Sequence, residues 1–160
     1  MGRNEHPEPL PESEAAADLI AQLAHRDQVD KSGKPYIDHP RRVAAIVRAN
    51  GYDRRYSTVA LLHDVVEDTE VTQDDLRAVF GAAISDAVDH LTRREGEPSE
   101  DYYARVLLSD LSLVVKHADI MDNTSPRRLA ALDLVTQERL SAKYNNAITQ
   151  LGGPLLPARD

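Results

Sequence analysis

The chain has no cysteine and no tryptophan, a single phenylalanine, and only 4% aromatic residues over 160 positions. Without cysteine there is neither a disulfide framework nor a thiolate metal site, which fits a reducing cytoplasm. No apolar run reaches the roughly 18 residues that a membrane-spanning helix requires. The opening stretch Met1-Gly2-Arg3-Asn4-Glu5-His6 lacks the apolar segment of a signal peptide. Strand-like alternation never extends beyond four residues, and there is no internal repeat. Basic charge is in deficit, with 19 Lys and Arg against 27 Asp and Glu and a formal net charge of -8. That balance argues against a nucleic-acid backbone as partner. The absences leave a cytoplasmic protein with no membrane and no nucleic-acid partner; they leave its oligomeric state open.

What is present reads as helix. The hydrophobic fraction is 41%, carried by Ala, Leu and Val. The length suits one domain that buries roughly 70% of the surface its unfolded chain would expose. Residues 1–12 carry three prolines between acids and are expected to form a flexible arm. Helices are expected from Ser13 or Glu14 to His25, from His39 to Asn50 with Pro40 in the first turn, and from Tyr56 to Asp68. Thr72 reads as an N-cap for a helix to Phe80, and Gly81 separates it from another over Ala82–Leu91. Segments capped near Ser99, over Leu111–Asp122 and over Asp133–Leu151 complete an all-α single domain of seven or so helices. Its bounds are 13–151, and 152–160 is a tail opened by Gly152-Gly153-Pro154.

The chemistry is concentrated at three separated places: His39, the run His63-Asp64-Val65-Val66-Glu67-Asp68, and Asp119. A His-Asp pair inside an apolar stretch is costly to bury without a partner, and a metal ion supplies one. Asp119, between Leu113-Val114-Val115 and Ile120-Met121, poses the same problem. Two imidazoles and two carboxylates are a sensible set for a divalent ion, and such mixed donors admit Zn, Fe, Ni or Mn. On a continuous helix His63 would lie over Glu67 and Asp64 over Asp68, one turn apart. A metal with adjacent acids is the equipment of hydrolysis. His25, His90 and His117 have no acids at ligand spacing and read as structural or surface residues, and Tyr144 reads as packing.

Three stretches resemble one family in their detail: Lys31-Ser32-Gly33-Lys34-Pro35-Tyr36-Ile37-Asp38-His39-Pro40, Leu61 to Thr69, and Val115-Lys116-His117-Ala118-Asp119 with Asn123. A His, then His-Asp, then a distant Asp is similar to the HD-domain metal-dependent phosphohydrolases. The His-Asp-x-x-Glu-Asp form looks most like the hydrolase domain of Rel/SpoT enzymes and the small alarmone hydrolases. The resemblance implies a helical HD fold holding one Mn²⁺ through His39, His63, Asp64 and Asp119. It implies removal of the 3′-pyrophosphate from a (p)ppGpp-type guanosine alarmone by a metal-activated water. Glu67 and Asp68 would manage the protons, Lys31 and Ser32 would line the base pocket, and Asn123 would contact the nucleoside. A phosphate-binding cation is expected at Arg93 or Arg94, with Arg94 the residue chosen.

The chain departs from that pattern at the loop that usually reads Arg-Lys-Ser-Gly, where Asp30 stands at the Arg position. An acceptor thus replaces a cation able to stack on guanine. The alternative substrates are therefore an adenosine alarmone, a deoxynucleotide or another nucleotide, and on this reading Asp30→Arg would raise guanosine activity. A third possibility is a non-catalytic metal- or nucleotide-binding protein, which would have no use for Glu67 and Asp68 beside its metal. No synthetase or regulatory sequence follows, so a stand-alone hydrolase is expected.

Overall fold

The computed structural model describes residues 11–154 and Leu156. The expected arm up to residue 10, and residues 155 and 157–160 of the expected tail, lie outside the described residues. Ten helical segments are present among them: α1 (Pro11–Ala24), α2 (Asp38–Ala49), α3 (Arg54–Leu62), α4 (Val65–Asp68), α5 (Gln73–Phe80), α6 (Ala82–Leu91), α7 (Ser99–Val106), α8 (Asp110–Asn123), α9 (Pro126–Ala130) and α10 (Leu134–Gln150). The fold is all-α, and its one β feature is an isolated bridge between Val29 and Pro35.

Local signals set most of these boundaries. The Thr72 side chain accepts from the Asp75 amide while Asp75 accepts from the Thr72 amide, a reciprocal cap at the start of α5. Asp53, Ser109 and Asp133 cap α3, α8 and α10 in the same sense, each cap contributing about 1 kcal/mol. Gly81, at φ +84°, lets the chain turn between α5 and α6 where a side chain would be strained. The bend after α8 is tighter than its sequence suggests: Pro126 opens the short helix α9 instead of merely ending α8.

Two helices form the centre. From Ser57 to Leu62 every residue of α3 is buried, and α8 buries residues on all sides from Ser112 to Asp122. Helices apolar all round belong in a core. Here α2 and α1 pack on α3, while α8 packs against α2, α3 and α6. Leu156 is also buried in this core, so the chain after Gly153 still contributes packing. The C-terminal ends of α3 and α8 and the N-terminal end of α2 meet at one place, and each carries an acid or histidine there.

One expectation fails at that meeting point. The continuous helix from Tyr56 to Asp68 is broken into α3 and α4 at His63-Asp64. Neighbouring residues on a helix diverge by about 100°, so His63 and Asp64 could not both face one ion from a regular helix. The chain leaves the helix instead, and the His63 ring bonds back to the Ala60 carbonyl at 2.6 Å.

Candidate metal centre and substrate cleft

His39 enters from the first turn of α2, His63 and Asp64 from the break between α3 and α4, and Asp119 from the third turn of α8. Nε2 of His39 lies 2.9 Å from Oδ1 of Asp119 and 4.0 Å from Oδ2 of Asp64. Nε2 of His63 lies 3.1 Å from that Asp64 oxygen and 3.4 Å from Oδ1 of Asp119. One donor atom each from His39, His63 and Asp119 falls within 4.8 Å of the others, all three residues being buried. Asp64, Glu67 and Asp68 form a second such group. Asp64 joins the two.

The donor set fits a divalent ion. His63 Nε2 is buried and makes no hydrogen bond, an orphan that would be costly in a finished core. Its Nδ1 donates to the Ala60 carbonyl, so Nε2 is the nitrogen that can offer a lone pair to an ion placed between it and the carboxylates once its proton is displaced. Burial alone would discharge these groups, yet Asp64 and Asp119 hold the His63 imidazole well above its ordinary value. Asp119 is itself held well below the carboxylate range against its burial, chiefly by the Lys116 ammonium and by both imidazoles. Carboxylates this close demand positive charge, and a bound cation answers that demand by displacing the imidazole protons.

Other groups hold the ligands in place. Lys116, buried one turn before Asp119, donates to its Oδ2 at 3.0 Å. Asn123 Nδ2 donates to Asp119 Oδ1 at 3.1 Å. Tyr36 donates to Asp64, and Gln28 ties the end of α4 to the preceding loop by donating to the Asp68 carbonyl at 2.9 Å. Among the histidines left aside, His25 is buried against Tyr36 and bonds Gln28, and His117 is buried in the core, so both are structural.

The centre floors a cleft of about 740 Å³. Its lining comes from the 29–36 loop, closed by the Val29–Pro35 bridge, and from α9 and α10, with Arg128 Nη2 of α9 standing 3.9 Å from Asp30 Oδ2 of the loop. Lys31, Ser32, Glu67, Asp68 and Asn123 all line the cleft. Arg93 lines it in place of Arg94, which instead faces Asp89 at 3.3 Å on the outer surface. The Arg93 amide donates to Glu67 Oε1 at 2.6 Å while its guanidinium stacks on Tyr102. Tyr144 both packs on the core and faces the cleft. Lys31, Lys34, Arg127, Arg128 and Lys143 add positive charge around the acidic floor. Partial burial pushes the Glu67 carboxyl up, helped by Asp64 and Asp68 and opposed by the Arg93 amide. Asp68 is pushed up in the same way, by burial and then by Asp64.

Asp122, Arg42 and Arg128, which join the surroundings of His39, were not singled out in the sequence. Arg42 follows His39 and Asp122 follows Asp119 by one turn, but the bonds that join His39 and Arg42 to Asp122 span some 80 residues of chain, which no local spacing announces.

The model of the HD domain family matches residues 16–124. A guanosine-3′,5′-bis(diphosphate) 3′-pyrophosphohydrolase of Vibrio cholerae is 35% identical over 136 residues, which are 78% of this chain and 19% of that protein. A GTP pyrophosphokinase of Streptomyces coelicolor is 36% identical over 118 residues, 68% of this chain and 14% of that one. This chain therefore spans a fifth or less of these curated relatives. Among solved structures, a metazoan ortholog of SpoT described as hydrolysing ppGpp superposes with a TM-score of 0.74 at 24% identity, covering 92% of this chain and 89% of its own. That likeness concerns the fold. A Listeria monocytogenes protein gives a TM-score of 0.60 at 29% identity, with 78% of this chain and 87% of that chain covered. The family match extends over more than half of the sequence and takes in all four residues of the centre, so the chain belongs to the HD-domain family.

Proposed function

We propose that the chain is a divalent-metal-dependent phosphohydrolase that removes the 3′-pyrophosphate of a guanosine alarmone of the (p)ppGpp type, with Mn²⁺ as its metal. The observation that carries this reading is the adjacency of two clusters sharing Asp64. One is a His39–His63–Asp119 group fit for a metal, and the other is an Asp64–Glu67–Asp68 group open to a cation-walled cleft. A binding protein needs only the first. The relatives, one named a guanosine-3′,5′-bis(diphosphate) 3′-pyrophosphohydrolase, support the same substrate class.

His39, His63, Asp64 and Asp119 would hold the ion. A divalent ion there would polarise a phosphoryl oxygen and acidify a water molecule. Glu67, fixed by the Arg93 amide and raised toward neutrality, is placed to accept the proton of an attacking water at Oε2, because Oε1 is already engaged. Asp68, held from behind through its carbonyl by Gln28, would in its protonated form give that proton to the departing ribose oxygen and be reprotonated by the proton that Glu67 took from the water. Arg93 and Lys31, both lining the cleft, would bind phosphate oxygens, and Tyr144 would offer an aromatic face to the nucleoside.

A second reading keeps the chemistry and changes the base to adenine or to that of a deoxynucleotide. It is favoured by the absence, at Asp30 in the loop lining the cleft, of the cation able to stack on guanine that the resemblance calls for.

The test is product analysis of Mn-loaded protein with guanosine and adenosine 3′-pyrophosphates, a deoxynucleoside triphosphate and a 3′-monophosphate. Pyrophosphate release selective for guanosine supports the first reading, and adenine-selective release supports the second. In parallel, Glu67→Gln should bind metal as the wild type does while losing at least about 100-fold in turnover. Wild-type protein that binds Mn²⁺ and turns over none of the panel would leave a binding role.

A further inference from the structure

We propose that Asp122 is a positioning residue of the metal centre: it fixes the tautomer and ring plane of His39 so that Nε2 is the nitrogen presented to the ion. The proposal rests on the metal reading above and concerns a residue which that reading does not use.

Asp122 lies on α8 three residues after Asp119, so the two carboxylates share one helix face while their roles diverge. It is 4% exposed, an expensive place for a carboxylate unless each oxygen is occupied. Both are. Oδ1 accepts from Arg42 Nε at 2.8 Å, and Oδ2 accepts from Arg128 Nη1 at 2.9 Å and from His39 Nδ1 at 2.6 Å. The two donors at Oδ2 approach one another to 3.3 Å, which is what two N–H groups aimed at one acceptor produce.

The consequence for His39 follows from its two nitrogens. An Nδ1 that donates to a carboxylate leaves Nε2 with a lone pair, and Nε2 is the atom 2.9 Å from Asp119. A carboxylate behind a ligating imidazole also makes it a stronger donor. The two imidazoles of the centre are oriented differently. His63 Nδ1 rests on the backbone carbonyl of Ala60, whereas His39 Nδ1 rests on a side-chain carboxylate that arrives from another helix. Mutation can therefore reach only the second.

The two arginines keep Asp122 charged and fixed. Arg42 comes from α2, one turn after His39, and Arg128 comes from α9, where it also donates to Asn123 Oδ1 at 2.8 Å. The group that orients His39 is thereby held by the same helix that lines the substrate wall.

The experiment is titration of Mn²⁺ into wild type and Asp122→Asn by calorimetry, with thermal melts of the metal-free proteins. It is paired with nitrogen-resolved NMR of the histidine rings in Zn²⁺-loaded wild type. Asp122→Asn keeps an oxygen acceptor but removes its charge, and is expected to weaken metal binding by about 10- to 100-fold. The spectra should show His39 ligated through Nε2 with a strongly hydrogen-bonded proton on Nδ1, a signature that general loss of packing does not create. Tight wild-type binding with equal affinity in Asp122→Asn, or His39 ligated through Nδ1, overturns the proposal and leaves the metal reading intact. If Asp122→Asn does not fold, the wild-type spectra alone decide. Wild-type protein that binds neither ion overturns both.

Discussion

Tyr36 donates its phenolic hydrogen to Oδ2 of Asp64, the same oxygen that stands 3.1 Å from Nε2 of His63. The ring sits between His25 and His39, with centroids 4.9 and 5.8 Å away, so the loop ahead of α2 reaches directly into the centre. Burial, and after it Asp64, hold the phenol well above its ordinary value, so it remains a donor throughout the physiological range.

Tyr36→Phe keeps that ring packing and removes only the donor. A hydrogen bond to a charged acceptor is worth about 1.5–3 kcal/mol, and part of that loss is expected to appear as a freer Asp64. The variant should fold and bind Mn²⁺ about 10-fold more weakly, within the range for residues that orient metal ligands. Calorimetric titration checks this, and unchanged affinity would mean that Asp64 is oriented by His63 alone.

Asp64→Ala and Asp119→Ala should both lose stoichiometric metal and hydrolysis, but they should differ in stability. Removing Asp119 strands the buried Lys116 ammonium, its partner at 3.0 Å, and breaking such a pair costs about 3–5 kcal/mol. Asp64 has no such cation depending on it alone. Urea unfolding of the two metal-free variants, with metal content by mass spectrometry, separates the effects. Adding Lys116→Met to Asp119→Ala should recover stability without recovering metal. Stoichiometric metal retained in both single variants would remove these residues from the ligand set.

How far the sequence could be read depended on whether a feature is local. The cap at Thr72 and the bounds of α6 were legible because capping chemistry and a glycine act over three or four residues. The gathering of His39, His63 and Asp119 was legible because an acid within an apolar stretch needs a reason to be there. The break at His63-Asp64 was not, since Val59, Leu62 and Val66 continue a helical period across it. The break shows only in the tertiary structure, where His63 Nδ1 bonds back to the Ala60 carbonyl and Asp64 accepts from Tyr36. The exchange of Arg93 for Arg94 has a similar cause. The Arg93 amide is bonded to Glu67, which is 26 residues earlier, and nothing in the loop's own sequence announces that contact.

The loop geometry reverses the sequence-based expectation for Asp30→Arg. Oδ1 of Asp30 accepts from the Ser32 amide at 2.8 Å, the Ser32 hydroxyl at 2.7 Å and the Lys34 amide at 3.0 Å. The carboxylate therefore shapes the loop that carries Lys31, and an arginine there would accept none of the three bonds. Asp30→Arg is expected to lower activity on guanosine and adenosine substrates alike, mainly through a higher KM. Asp30→Asn, which can still accept, should stay near wild type. Steady-state kinetics on both substrates check this, and a selective gain on guanosine in Asp30→Arg would restore the direct role of residue 30 in base choice.

Acid should loosen the loop that carries Arg93. Arg105 Nε and Nη2 donate to Glu97 Oε1 and Oε2, each at 2.7 Å, and Arg105 also reaches the carbonyls of Asp89 and Thr92. That fork closes the 93–98 loop from which Arg93 enters the cleft. The Arg105 guanidinium, with the Arg94 amide, holds the Glu97 carboxyl down to about 2. A carboxylate whose folded value lies below its unfolded one, near 4.3, stabilises the fold at higher pH and loses that contribution as pH falls. The window here runs from roughly pH 5 down to about 2. Glu97→Gln removes the charge at every pH. Its melting temperature should lie below that of the wild type at pH 7, and the gap should narrow through the acid window as the wild-type carboxylate protonates. Melts of both proteins from pH 7 to the acid limit of solubility test this, and a constant gap would place the acid sensitivity of the loop elsewhere.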